Sequence, residues 1–326
     1  MYVCILDEQG EIREHRNMDT DADTFLKTIA PFREDVVVAV ECMFTWYWLA
    51  DLCQREGIPF VLGHALYMKA IHGGKAKNDK IDSRKIAVLL RGGMIPMSYV
   101  YPEKMRATRD LMRRRNHLMR KRAELLAHIQ NTNSQYNLEE PFGCLTQPRK
   151  RTGIVERFND PAVQKSMEVD LAMIATYDTM LVDLERTITK LAHHHDPVSY
   201  TLLRTIPGVG KILALVILYE IENIKRFSTV QDFASYSRLV KCAHESNGKK
   251  YGNGGSKIGN AHLKWAFSEA TIIFLRGNEP VKKYLDRLTK KHGKGKALSI
   301  LAHKLGRAVY FMLKNKEAFD QEKFMK

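Results

Sequence analysis

Along residues 1–100 the apolar positions change period repeatedly, which predicts a layered arrangement of strands and helices. MYVCILD reads as a strand, EQG as a turn, and EIREHR as a second strand. DADTFLKTIA has helical spacing, with Asp21 or Asp23 placed to cap it. DVVVAVE is a continuous Val-rich run, the mark of a strand buried on both faces. TWYWLADLCQREG predicts a helix ending at Gly57, and IPFVLG the strand after it. A short helix near Ala65–Ile71, an amphipathic helix opening at KNDKID and an extended MSYVY complete a mixed sheet flanked by helices.

From residue 103 the pattern turns helical. Lys104 to Leu126 carries the pairs Leu111/Met112, Leu118/Met119 and Leu125/Leu126, a seven-residue repeat. After Pro161, Met167, Ile174, Leu181 and Ile188 alternate with Tyr177, Leu184 and Leu191 in a heptad pattern. The two helices predict a coiled-coil hairpin, within one chain or between two, joined through residues 137–160 with Pro141, Pro148 and a basic RKR. Residues 196–326 form a third region. It opens on LLRTIPGVGKILALVIL and passes through a Gly-rich loop to helices near Ala261–Leu275 and Lys296–Leu313. The expected architecture is α/β plus α in three parts: a mixed-sheet domain over 1–102, a coiled coil over 103–195 and a mostly helical domain over 196–326.

Charge sharpens this picture. The chain holds 52 Lys+Arg against 37 Asp+Glu, a net charge of +15. Such an excess points to a polyanionic partner rather than to a merely basic surface, since cations near phosphates release counterions. Lys104, Arg106, Arg109, Arg113, Arg114, Arg115, Arg120, Lys121 and Arg122 crowd the first long helix against only Glu103 and Asp110 at its start. A nucleic-acid face is the better reading there than a solvated one. The five cysteines are odd in number and scattered, with no CxxC pair, so reduced thiols are expected. The apolar run VVVAVECMFTWYWLADLC is broken by Glu41 and Asp51 and is too polar to span a bilayer. With no signal peptide at the start, a soluble intracellular protein is expected.

Asp79 and Asp82, three apart at a helix start, share one face amid Lys75, Lys77, Lys80, Arg84 and Lys85. An N-cap followed by a helix-dipole partner would explain them structurally. Two carboxylates held together also suit Mg²⁺, which takes one or two of them along with substrate phosphate oxygens. Glu41 favours the metal reading, because it ends the Val run, where α/β sheets place their chemistry. A strand-end Glu followed about 40 residues later by two helical Asp is similar to the acidic arrangement of the RNase H-like fold. In that fold the first acid lies on a first strand, whereas MYVCILD counts here as the second; Asp7 ends that strand facing a turn. Either the chain starts at an internal Met or the site works one carboxylate short.

ESNGKKYGNGGSKIGN, Glu245 to Asn260, reads as a flexible basic loop whose backbone can approach phosphate closely. Lys249, Lys250 and Lys257 supply its charge. Ser246 opens it and becomes a nucleophile given a nearby base or metal, with His244 and Glu245 among the candidates; a turn serine is the plainer alternative, and Ser256 is a weaker candidate. IPGVGKILALVIL has the form of a helix–hairpin–helix, in which Gly208, Gly210 and Lys211 would offer backbone N–H groups and a cation to phosphate. His193-His194-His195 is contiguous and reads as a solvated helix end.

Taken in order, VAVECMFTWYWL, KNDKIDSRKIA, LRTIPGVGKILA, FASYSRLV and ESNGKKYGNGGSKIGNAHLKWAF resemble the DEDD-type transposases of bacterial insertion sequences, the bridge-RNA-guided recombinases. The resemblance covers nearly the whole chain. It implies a RuvC-like (RNase H-like) first domain, a coiled coil, and a C-terminal transposase domain with a nucleophilic serine. By motif, Glu41, Asp79 and Asp82 would be the second to fourth acids holding Mg²⁺, and Ser246 the nucleophile that forms a phosphoserine link to DNA. Donor and target DNA, a structured guide RNA, a dimer or tetramer, and a cytoplasmic, nucleoid-associated location are implied. A junction-resolvase-like nuclease or a non-catalytic nucleic-acid binder are the alternatives.

Overall fold

The computed structural model describes residues 1–71, 78–139, 145–192, 195–241, 245–250 and 258–326. The chain divides into two compact units, Met1–Glu103 and Lys104–Lys326.

In the first unit, β1 (Tyr2–Leu6) pairs antiparallel with β2 (Ile12–Asn17), as the hairpin pattern predicts, with the register slipping between Ile5 and Leu6. Helix α1 (Ala22–Ile29) is capped by Asp21, whose carboxylate accepts the Thr24 N–H. Strand β3 (Val38–Glu41) pairs in parallel with β4 (Phe60–Gly63), and α2 (Tyr47–Arg55) connects them, as a parallel pair requires. Phe25, Ile29, Leu49, Leu52 and Cys53 form the core beneath. Helix α3 (Ala65–Ile71) follows β4, and α4 (Asp79–Arg91) packs against β1, β2 and β3.

Two expectations need correction. The single mixed sheet is instead two separate two-stranded sheets among the described residues. The Val run is not buried on both faces: β3 is four residues long, mostly half-buried, and Val37 before it is exposed. Continuous hydrophobicity therefore overstated the burial of this run. MSYVY forms no strand; it meets β4 only through a bridge from Gly63 to Met97.

The second unit opens on two long helices, α5 (Glu103–Gln135) and α6 (Pro161–Ala192). Arg115 pairs with Glu185, Arg122 with Asp178 and His128 with Asp170, so partners descend α6 as they ascend α5. The helices are therefore antiparallel within one chain, which settles the question left open by the heptads. Met167, Ile174, Leu181 and Ile188 are all buried, the stripe that the seven-residue repeat marks. The 145–160 segment folds back under this hairpin through Leu145, Ile154 and Phe158.

Next come α7 (Pro197–Arg204), α8 (Lys211–Ile221), α9 (Val230–Tyr236), α10 (Ala261–Phe274), α11 (Glu279–His292), α12 (Lys294–Asn315) and α13 (Gln321–Met325). Helix α8 is apolar all round and sits at the centre of one core. That core also takes in Met105 and Met112 of α5 and Ile188 of α6.

Within the basic loop, β5 (Glu245–Ser246) and β6 (Lys249–Lys250) make an antiparallel hairpin. Asn247 and Gly248 both take positive φ, 51° and 69°, the backbone of a two-residue type I′ turn. The Asn-Gly pair was the signal for it. Residues 251–257, which include Ser256 and Lys257, lie outside the described residues, as do Lys77, His193, His194, His244, Cys144 and Cys242.

Candidate active site and nucleic-acid interface

The acidic constellation belongs to the first unit. Glu41 closes β3 opposite Gly63 of β4, at the carboxyl end of a parallel pair. The chain then turns sharply, the Met43 N–H donating to the Glu41 carbonyl and the Cys42 N–H to that of Gly63. Asn78, not either aspartate, caps α4 by accepting the Ile81 N–H at 2.8 Å. Asp79 and Asp82 thus have no capping role, though both lie in the first turn of α4, where the helix dipole favours a carboxylate. Asp79 is exposed; Asp82 is half-buried, 4.0 Å from the Lys85 ammonium. Asp7 is consumed locally, accepting the Glu11 N–H and the Arg13 guanidinium.

The donor chemistry suits a hard divalent ion: oxygen ligands only, with no side-chain partner for Glu41 or Asp79 among the described residues. The strand bearing Glu41 and the helix bearing the aspartates are packed neighbours. Among the described residues, however, no three His, Cys, Asp or Glu are grouped so as to hold a metal ion, so these acids do not form a ready-made cluster.

Apolar side chains border this end of the strands. Phe44 is 88% exposed and Met97 77% exposed, while His64, directly after Gly63, packs its ring on Tyr67 at 4.8 Å. Burial pushes the His64 imidazole below its ordinary value, and its Nδ1 is buried without a hydrogen-bond partner among the described residues. Phe44 had not been singled out from the sequence; its signal was an aromatic residue just beyond the strand-end acid. Lys80 is exposed at the head of α4, its carbonyl 3.0 Å from His15 Nε2.

The second constellation belongs to the second unit. Ser246 stands in β5 opposite Lys249, held by the Asn-Gly turn, with Lys250 opposite Glu245. Lys249 is exposed. Downstream, Gly259 (φ +88°) passes so close to α9 that a Cβ there would lie 2.6 Å from the Tyr236 carbonyl. Asn260 then caps α10, accepting the His262 and Leu263 N–H groups.

Beneath this exit lies a buried charge cluster that sequence reading missed. Glu220 of α8 is 2% exposed and accepts from Arg113 (2.7 and 2.9 Å), Arg109 (3.1 Å) and Asn260 (2.7 Å). Burial pushes its carboxyl up, but the Arg113 hydrogen bonds, the charges of Arg109 and Arg113 and the Asn260 amide outweigh that, leaving a pKa of about 2. The available signal was one carboxylate inside the otherwise apolar run KILALVILYEI.

The basic helix α5 is therefore divided in its work. Arg113, Arg115 and Arg122 are engaged with Glu220, Glu185 and Asp178, the last also held by Arg151. Lys121 pairs on the surface with Glu124. Arg114 and Arg120 are exposed with no acidic partner among the described residues. At the PGVG turn the glycines also differ. Gly208 (φ +87°) abuts α10, where a Cβ would sit 2.7 Å from the Phe274 nitrogen. Gly210 begins α8 in open space, with Lys211 exposed behind it.

Residues 1–137 match a DEDD-type family of insertion-sequence transposases, and residues 200–286 match the family described as Transposase IS116/IS110/IS902. The chain is an insertion-sequence transposase, a DNA recombination enzyme. More particularly, its two matched stretches are transposase domains of the IS110/IS116 kind. It is 22% identical to the transposase for insertion sequence element IS1111A of Coxiella burnetii, over 97% of this chain and 87% of that one. The transposase for insertion sequence element IS1328 of Yersinia enterocolitica is 24% identical over 72% of this chain and 71% of that one. A probable family 20 transposase of Pseudomonas aeruginosa is 22% identical over 87% and 85%. A transposase acts on DNA, and a DEDD-type domain implies a divalent cation. No helix among the described residues is long and apolar enough to cross a membrane.

Proposed function

We propose that this transposase exchanges DNA strands through a serine nucleophile, Ser246, with Glu41, Asp79 and Asp82 as the carboxylates of an RNase H-like (RuvC-like) domain. The observation that carries the reading is the packing of α4 against β3, which makes neighbours of the elements bearing those acids. Glu41, Asp79 and Asp82 would hold the cation, with Mg²⁺ the hard ion best suited to carboxylate and phosphate oxygens. Bound there, it would supply Lewis-acid polarisation of a phosphodiester. Ser246 Oγ gives up its proton and bonds to phosphorus as the bond to the departing strand's sugar oxygen breaks, and that oxygen takes a proton. The resulting phosphoserine ester is reversed by a hydroxyl of a second strand.

The type I′ turn sets Ser246 opposite Lys249 in a short hairpin that also carries Lys250, and Lys257 follows in the same segment. Lys77 and Lys80 flank the aspartates. Arg114, Arg120 and the exposed parts of Arg113 and Lys121 line α5, where Arg115 and Arg122 are largely buried in ion pairs, and Gly210 and Lys211, with the Gly208 turn setting their position, offer an open helix start to phosphate. This grip is directed at backbone and shape, so target choice falls to a structured guide RNA that pairs with donor and target DNA. Two cleavage events per exchange call for a homodimer or tetramer, working on DNA in the cytoplasm at the nucleoid.

The test is protein–DNA linkage. Purified chain with its flanking non-coding RNA and donor and target duplexes, quenched in detergent, should leave DNA attached to protein, and Ser246→Ala should abolish that. Strand cleavage that continues unlinked in Ser246→Ala would instead identify a metal-dependent nuclease, and the absence of both a non-catalytic binder.

A further inference from the structure

Between the end of α12 and α13 lies a cavity of about 580 Å³, within the range of about 300–1,000 Å³ usual for small-molecule sites. It falls outside both family-matched stretches. Phe311, Met312, Phe319 and Phe324 give it apolar walls, and Lys304, Arg307 and Asn315 add polar groups. The geometry points to a nucleotide site here: a nucleobase of single-stranded nucleic acid against Phe311 and Phe319, with its phosphate on Arg307 and Lys304. The inference rests on the reading of this chain as one that handles opened DNA or RNA strands.

The leftover charge argues for that occupant. The acids at the rim are already engaged: Asp320 caps α13 by accepting the Lys323 N–H, and Glu317 faces the Lys323 ammonium at 3.5 Å. Two of the lining cations, Arg307 and Lys304, meet no carboxylate among the described residues. Arg307 is half-buried with no acidic partner among the described residues. Lys304 is half-buried over the rings of Tyr284 (4.8 Å) and Phe324 (5.2 Å), again with no carboxylate among the described residues, and burial pushes its pKa down. An apolar peptide seated here would cover two cations and satisfy neither. A nucleotide matches both halves, since aromatic faces stack on any base and guanidinium and ammonium groups take phosphate.

The site has firm walls. Phe319 is fixed edge-on against Phe274 and tilted against Phe324, and its N–H donates to Thr205 Oγ1. Phe311, by contrast, is exposed and open to stacking.

The probe is a 5′-mononucleotide titrated into the full chain carrying ¹³C-methyl methionine, with the nucleoside and inorganic phosphate as separate arms. A saturable shift of the Met312 methyl is expected, with the mononucleotide bound roughly tenfold or more tighter than either part alone. Arg307→Gln should erase that advantage and leave nucleoside binding in place, while Phe311→Ala should weaken both; Lys304→Gln serves if Arg307→Gln does not fold. No saturable shift at millimolar nucleotide overturns the proposal. So does equal binding of nucleoside and nucleotide that ignores Arg307→Gln, which would mark an apolar protein segment as the occupant. Ser246→Ala should bind the mononucleotide unchanged, so loss of strand exchange and loss of this site read out separately.

Discussion

Arg113 of α5 grips Glu220 of α8 with two nitrogens, Nε to Oε1 at 2.7 Å and Nη2 to Oε2 at 2.9 Å, in the middle of the second unit. Asn260, which caps α10 at the exit of the glycine-rich segment, shares that carboxylate. One buried acid thereby ties the basic helix to the end of the loop that begins near Ser246. Removing one partner from such a cluster leaves the others' charge buried, typically at about 3–5 kcal/mol. Glu220→Ala should lose about that much unfolding free energy in a urea titration, more than Arg115→Ala at the better-solvated Glu185 pair.

The same residue sets an acid limit. The Glu220 carboxyl lies at about 2 in the folded chain against an ordinary value of 4.5. A depressed folded value means that its contribution is complete above about pH 4.5 and fades as pH falls toward 2. Thermal scans should therefore show the wild type losing more stability than Glu220→Gln between pH 5 and pH 3. Parallel curves would remove Glu220 from the account.

Asp79 separates catalysis from folding. It is exposed, has no side-chain partner among the described residues, and Asn78 does the capping. Asp79→Asn should cost at most about 1 kcal/mol of helix-dipole stabilisation. Strand transfer and Mg²⁺-dependent signals should nonetheless fall by at least about 100-fold if that carboxylate helps hold the cation. Comparable activity in the variant would move the metal elsewhere.

Gly208 and Gly210 make opposite predictions two residues apart. At Gly208 any side chain meets the Phe274 backbone at a positive φ, so Gly208→Ala should lower stability by at least about 1–3 kcal/mol. Gly210 faces open space at φ −74°, and Gly210→Ala should fold with a loss under about 1 kcal/mol. Differential scanning fluorimetry of the pair distinguishes a glycine held by packing from one in open space.

Phe44, at 88% exposure, can be truncated without disturbing the core. If it stacks on a base beside Glu41, Phe44→Ala should weaken single-stranded DNA binding by about 1–3 kcal/mol while leaving the melting temperature unchanged. Equal affinity in fluorescence anisotropy would leave it as surface.

Local physics made much of this chain legible in advance. Asp21 as a cap, the stop at Gly57, the β1–β2 hairpin and the stripe Met167–Ile174–Leu181–Ile188 follow from short-range periodicity and capping chemistry. Glu41 at a strand end and Asp79 and Asp82 on one helical turn were readable for the same reason. Helix α11 was overlooked although Asn278 and Pro280 announce its start. The Ser246 hairpin was taken for loose chain because its lysines and glycines masked the Asn-Gly turn.

The sequence alone determined most of the helices, the strands β1 to β4 and the caps, because spacing and side-chain type act over a few residues. The tertiary structure decided how the cations are shared out. Periodicity placed Arg113, Arg114, Arg115, Arg120 and Arg122 together on one basic helix, but only long-range packing brought Glu220, Glu185 and Asp178 against three of them, leaving Arg114 and Arg120 without an acidic partner among the described residues. A buried charge is settled by whichever opposite charge lies across the interface, and that partner stands up to 107 residues away along the chain.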